Sequence, residues 1–162
     1  MRLKDKVAII TGGSRGIGFA AAEKFLEEGA SVIITASSQA TAEGAVSKLK
    51  EKYPEAAVAG IWPNLASLES VRAAFREVEE RFGGVDILVN NAGVSESTPF
   101  AEYTEEIFNK VMDLNVKGVF HASRAVVESM IKRGGGVILS TSSMVSISGQ
   151  PSGFAIRHPS LQ

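Results

Sequence analysis

The run VAIIT (residues 7–11) passes directly into TGGSRGIG (11–18), and this junction constrains the chain more than any other stretch. The run has no alternating polar position to offer solvent, so a strand made from it must be covered on both faces, as in a parallel sheet between helical layers. The glycine-rich turn then has a geometric use. Gly12 allows a tight turn, Gly16 lets the backbone approach a pyrophosphate, and Gly18 permits close packing of the next helix on the strand. That helix presents its N-terminal amides and the positive end of its dipole to phosphate oxygens. Ser14, Arg15 and Ile17 lie in the same turn and join the glycines as candidate contacts to a dinucleotide.

The rest of the chain repeats the alternation. The spacing of Phe19, Ala22, Phe25 and Leu26 predicts a helix over 16–28, closed by a glycine cap at Gly29. SVIITA (31–36) reads as a second strand, 40–53 as a helix stopped by Pro54, and AAVAGIW (56–62) as a third strand with Trp62 packing at its end. Val71, Ala74, Phe75 and Val78 place a helix over 67–82, ended by Gly83 and Gly84. DILVN (86–90) is the fourth strand. A long helical region over 104–132, broken near Leu114 and Asn115, leads to VILST (137–141), the fifth. Strands and helices alternating at this interval require right-handed crossovers and a parallel sheet.

At 162 residues the chain suits one domain with a core of its own. Its 17 basic and 18 acidic residues nearly cancel and form no run of one sign, so no nucleic-acid or membrane partner is expected. Without cysteine there are no disulfides, thiolate metal sites or cysteine nucleophiles, and no metal site is expected. No stretch approaches the ~20 apolar residues of a membrane span, nor does the N-terminus read as a signal peptide. A cytoplasmic location is the expectation.

Three further segments join TGGSRGIG: NNAG at 90–93, Asn115 within DLNV, and STSS at 140–143. In this order and at these separations they resemble the short-chain dehydrogenase/reductase family over residues 4–155, with sugar-alcohol dehydrogenases and 3-oxoacyl-carrier-protein reductases as the most similar subgroup. The resemblance implies a Rossmann-like, doubly wound three-layer α/β domain over 1–155, of strand order 3-2-1-4-5. It implies hydride transfer between a nicotinamide and a small carbonyl or alcohol substrate. It also carries cofactor contacts onto Asn91, Ala92 and Gly93. Ser143 matches the serine that hydrogen-bonds the substrate oxygen, with Ser142 as the alternative. Asn115 matches the asparagine that anchors a proton-relaying water, unless it only interrupts the helix.

The cofactor type follows from the end of the second strand. An acid there normally holds the ribose 2′-hydroxyl and repels a 2′-phosphate. This chain has TASSQ (35–39) instead. Ser37 and Ser38 as hydroxyl donors, with Arg15 as a nearby cation, suit a phosphate, which favours NADP(H) over NAD(H). The alternative makes Arg15 a solvated loop residue. Where the family usually places an Asp against the adenine amine, Asn64 is followed by Leu65, and Asn offers one acceptor oxygen instead of two.

The family's general acid/base tyrosine and its partner lysine would fall at 156 and 160, where the chain has Ile156 and Ser160. Neither can move a proton at the substrate or tune a neighbour that does. His121, on a helix, and His158, in the aberrant C-terminal stretch, are not expected to substitute. Removing one T from GCA TAT CCG GCA TCC AAG CTT GCA G, which encodes Ala-Tyr-Pro-Ala-Ser-Lys-Leu-Ala, yields Ala-Ile-Arg-His-Pro-Ser-Leu-Gln, the residues at 155–162. Residues 156–162 are therefore expected to be a frameshifted tail, with the family's C-terminal strands missing. On that expectation the fifth strand is an apolar edge open to self-association. The family tetramer is not expected, since its interfaces draw partly on the missing elements. Two functional readings stand: an oxidoreductase, or a chain that binds the cofactor and does not turn over.

Overall fold

The computed structural model describes residues 1–143. The expected tail, with Ile156, His158 and Ser160, lies outside them.

Five parallel strands form one sheet in the order β3-β2-β1-β4-β5: β1 (Val7–Ile10), β2 (Ser31–Thr35), β3 (Val58–Ile61), β4 (Ile87–Asn90) and β5 (Val137–Ser140). The helices are α1 (Gly16–Glu27), α2 (Gln39–Lys52), α3 (Leu68–Phe82), α4 (Glu105–Met112) and α5 (Gly118–Lys132). This is the Rossmann-like doubly wound arrangement and strand order implied by the resemblance. No helix of the described residues is long and apolar enough to cross a membrane.

Alternation along the strands builds the two faces. Ile10, Val32, Ile34 and Val58 pack with Ala22 and Leu26 of α1 and Ala45 and Leu49 of α2. Val7, Ile9, Ile33 and Leu88 pack on the other side with Val71, Phe75 and Val78 of α3 and Ala122, Val126 and Met130 of α5. The period-2 pleat sends neighbouring residues of one strand into different helical layers, which is why the strand runs carry no polar alternation.

β1, β2, β4 and β5 are each one residue shorter than the apolar runs predict, and the ladder continues beyond the regular span. Thr11 N donates to Val89 O at 2.9 Å, Ala36 N to Ile61 O at 3.0 Å, Asp86 N to Val7 O at 2.9 Å and Thr141 N to Asn90 O at 2.9 Å. Gly29 adopts φ +88 after α1, and Gly83 caps α3 at φ +79. Tyr53 ends α2 just before Pro54. The α-helical run is interrupted where expected, near Leu114 and Asn115: a π-helical turn, Asp113–Lys117, joins α4 to α5, with right-handed helical dihedrals at Met112, Asp113, Lys117 and Gly118. One expectation changes. Trp62 is 47% exposed rather than packed, because β3 is a sheet edge and its end faces solvent.

Candidate functional site

All five strands point their carboxyl ends the same way, so the turns after β1, β2, β3 and β4 gather along one edge of the sheet. Between β1 and β4 the connections diverge, α1 leaving to one face and α3 arriving on the other, and a crevice at such a switch point is where open α/β sheets bind ligands.

The glycine turn sits at that point. Gly12 and Gly16 both have positive φ, +65 and +57. A Cβ on Gly12 would come 2.9 Å from Ala92 Cα, and one on Gly18 would come 2.4 Å from Gly12 O and 2.5 Å from Asn91 Nδ2. Gly18 therefore lets α1 press against its own turn and the end of β4. Gly16 differs: nothing lies within 4 Å of where its Cβ would be. Its backbone faces open space at the start of a helix with no acidic residue in the first turn, which suits a phosphate. Arg15 is the N-cap residue, exposed, and bonded to no side chain among the described residues; Ser14 is half-buried and Ile17 is 74% exposed on the outside of the first turn.

Two buried threonines that sequence reasoning passed over hold this turn in place. Thr11, 3% exposed, accepts from Asn91 N and Ala92 N at 3.0 Å each through Oγ1 and donates towards Val89 O at 3.4 Å. Thr35 Oγ1 accepts from Gly12 N at 3.1 Å, and Thr35 O accepts from Gly13 N at 3.1 Å. Asn91 completes the clamp by donating its Nδ2 to Thr11 O at 3.1 Å and Gly12 O at 3.3 Å. The Asn91 side chain is thus spent on the turn, while Ala92 and Gly93 present backbone. The available signal was positional, since both threonines end strands whose other residues are apolar.

Ser37 and Ser38 are exposed at the end of β2. Ser38 caps α2, its Oγ accepting from Thr41 N at 3.3 Å. After β3, Asn64 Oδ1 accepts from Ala66 N at 3.0 Å, closing a tight turn, and Asn64 N donates to Ser70 Oγ at 2.9 Å. Leu65 O is bonded by His121 Nδ1 at 2.8 Å. Asn90, 3% exposed, donates from Nδ2 to Ser123 Oγ at 3.1 Å and Ser140 Oγ at 3.4 Å, tying α5 and β5 to β4.

Asn115 lies in the π-helical turn and uses its whole amide on one residue. Nδ2 donates to Val94 O and Oδ1 accepts from Val94 N, both at 2.8 Å. It therefore pins the chain after β4 to the helical segment, a more definite role than that of a helix interruption. The Lys110–Glu96 ion pair at 2.5 Å ties the same chain to α4. Ser143 follows β5, exposed, at the end of the described residues. A separate trough of about 680 Å³ between α3 and α5, lined by Arg72, Arg76, Arg124 and Glu79 among others, contains none of these residues.

The family pattern described as short chain dehydrogenase matches residues 6–155. The chain belongs to the short-chain dehydrogenase family. Its relatives in that family include a 3alpha-hydroxysteroid dehydrogenase of Mediterraneibacter gnavus, 56% identical over 153 residues that make up 94% of this chain and 61% of the relative. A 3-oxoacyl-[acyl-carrier-protein] reductase of Vibrio cholerae is 38% identical, with 92% of this chain and 59% of the relative aligned. Among solved structures, an NAD+-bound xylitol dehydrogenase superimposes with a TM-score of 0.88 at 30% identity, covering 94% of this chain and 58% of that one. This short-chain dehydrogenase chain thus spans about 60% of the length of the relatives it matches.

Proposed function

We propose that the chain binds a nicotinamide dinucleotide, NADP(H) in preference to NAD(H), across the carboxyl ends of β1, β2 and β4. The observation that carries the reading is the pair of glycines in the turn: Gly18 is closed by packing, while Gly16 opens onto free space at the positive end of α1. The diphosphate would rest on the amides of Ser14 to Ile17. Arg15, Ser37 and Ser38 would receive the ribose 2′-phosphate, with no carboxylate among residues 35–39 to repel it. Asn64 and Leu65 would border the adenine, and Asn91, Ala92 and Gly93 the nicotinamide half.

Bound there, the nicotinamide would supply or accept a hydride, and a small carbonyl or secondary alcohol is the substrate class suggested by relatives named as dehydrogenases and a reductase. Ser143 would donate to the substrate oxygen. Asn115 would hold the Val94 backbone beside the nicotinamide half in register with α4 and α5. A second reading is favoured by Ile156 and Ser160: a chain that grips the cofactor without turning over, since neither side chain can act as acid or raise the acidity of one.

Titration with NADPH and NADH, followed by nicotinamide fluorescence, tests the binding reading, and a panel of small ketones then separates the two. We expect NADPH to bind more tightly than NADH and to be oxidised no faster than without protein. Ordinary turnover would defeat the second reading, and binding of neither cofactor would defeat both.

A further inference from the structure

We infer that His121 is a positioning residue for the adenine end of the cofactor, locking the turn after β3 to the helical segment that also holds the turn after β4. The inference rests on the dinucleotide reading above and adds a residue which that reading does not use.

The Asp113–Lys117 turn and the first turn of α5 form one bracket. At its near end Asn115 bonds both backbone groups of Val94. Six residues on, His121 reaches the other way, its Nδ1 at 2.8 Å from Leu65 O. Between them Gly118 faces Leu65: a Cβ there would meet Leu65 Cβ at 3.4 Å, ordinary contact distance, so the two segments are neighbours at this point. The π-helical turn brings this about, because its extra residue per turn rotates 118–121 relative to α4. A carbonyl oxygen can only accept, so Nδ1 carries the proton in this contact.

Residues 64–67 otherwise hold themselves together locally. Ala66 N donates to Asn64 Oδ1, Ser67 N to Asn64 O, and Asn64 N to Ser70 Oγ. Leu65 also packs against the core cluster of α3 and α5, and the Ser70 bond ties the turn to α3. The His121 contact adds a hydrogen bond between this turn and α5, from 56 residues away in sequence. Removing it leaves the turn folded on the core with its carbonyl edge less firmly held relative to Val94, so the spacing between the two halves of the nucleotide site loosens. A ligand contacting only the adenine side then loses affinity, and one contacting only the nicotinamide side does not.

The test uses the full chain, with AMP and nicotinamide mononucleotide as separate probes, in wild type, His121→Ala and His121→Asn. Asn can place an amide donor near the position of Nδ1. Loss of one such hydrogen bond corresponds to a change of roughly three- to tenfold. We expect AMP to bind His121→Ala more weakly by about that factor, His121→Asn to recover most of it, and the mononucleotide affinity to be unchanged. Amide exchange should accelerate at Ala66 and Ser67 in His121→Ala and stay the same across 11–18. Unchanged AMP affinity in His121→Ala would overturn the inference, as would equal losses for both probes together with a lowered melting temperature. If the wild type itself fails to bind AMP, the dinucleotide reading falls, and with it the role of His121 in ligand binding; the exchange measurement still reports whether His121 holds the turn.

Discussion

Thr11→Val is the most informative single substitution at the site. It keeps the side-chain shape and removes the one atom on which two backbone donors converge, Asn91 N and Ala92 N, each at 3.0 Å from Oγ1. Thr11 is 3% exposed and its two donors belong to half-buried residues, so water replaces the hydroxyl only in part. A buried donor left without a partner costs about 1–3 kcal/mol, so two half-buried ones together cost on the order of 2–4 kcal/mol. Thr11→Ser keeps the acceptor and loses only a methyl group, about 1 kcal/mol. Urea unfolding resolves the contrast. With a slope of about 2 kcal/mol per molar, the valine midpoint should fall by on the order of 1–2 M and the serine midpoint by about 0.5 M. The valine variant should also bind NADPH more weakly, since the same hydroxyl aligns Ala92 with Gly12. A valine variant within about 0.5 kcal/mol of wild type, or a serine variant as damaged as valine, would refute the reasoning, because the hydroxyl would then not be what holds the turn.

Other outcomes follow from single contacts. Arg15→Ala should weaken NADPH by about tenfold and leave NADH nearly unchanged, read by parallel titrations; equal losses would remove Arg15 from the 2′-phosphate. The Glu27 carboxyl is held below its ordinary value first by Lys24, which donates to it at 2.8 Å, and then by Tyr53, whose hydroxyl donates at 2.7 Å. A depressed folded value adds stability above the unfolded carboxylate range and loses it as pH falls through the folded one. Glu27→Gln should therefore be less stable than wild type near neutral pH, with the difference vanishing on acidification, as measured by denaturation across pH. The side chains of Val137, Ile138 and Leu139 are all exposed on β5, the sheet edge among the described residues. Leu139→Lys should reduce concentration-dependent association in sedimentation velocity, and no change would clear this edge of the role.

Much of the architecture could be read from residue order because its causes are local or periodic. VAIIT, SVIITA and DILVN lack polar alternation, and helical spacing in the intervening stretches selects Ala22, Leu26, Val71, Phe75 and Val78, all of which are buried. The glycine turn was readable for the same reason, since positive φ at Gly12 and Gly16 is a property of single residues. What escaped was long-range pairing. Thr11 and Thr35 look like the polar ends of apolar strands until the register sets them beside Asn91 and Gly12. Asn115 stands out by its motif, yet its grip on Val94 depends on a π-helical turn that no periodicity signals.

The order of residues alone therefore determined the layered sheet, the tight glycine turn after the first strand and the absence of an acid after the second. Each of these depends on side-chain type at a position or on its repeat along the chain. Folding in three dimensions decided which polar groups hold the site together. His121 meets Leu65, and Asn91 meets Gly12, only because the parallel sheet brings its turns to one edge, and hydrogen bonds across 56 and 79 residues follow from that convergence and from no local pattern.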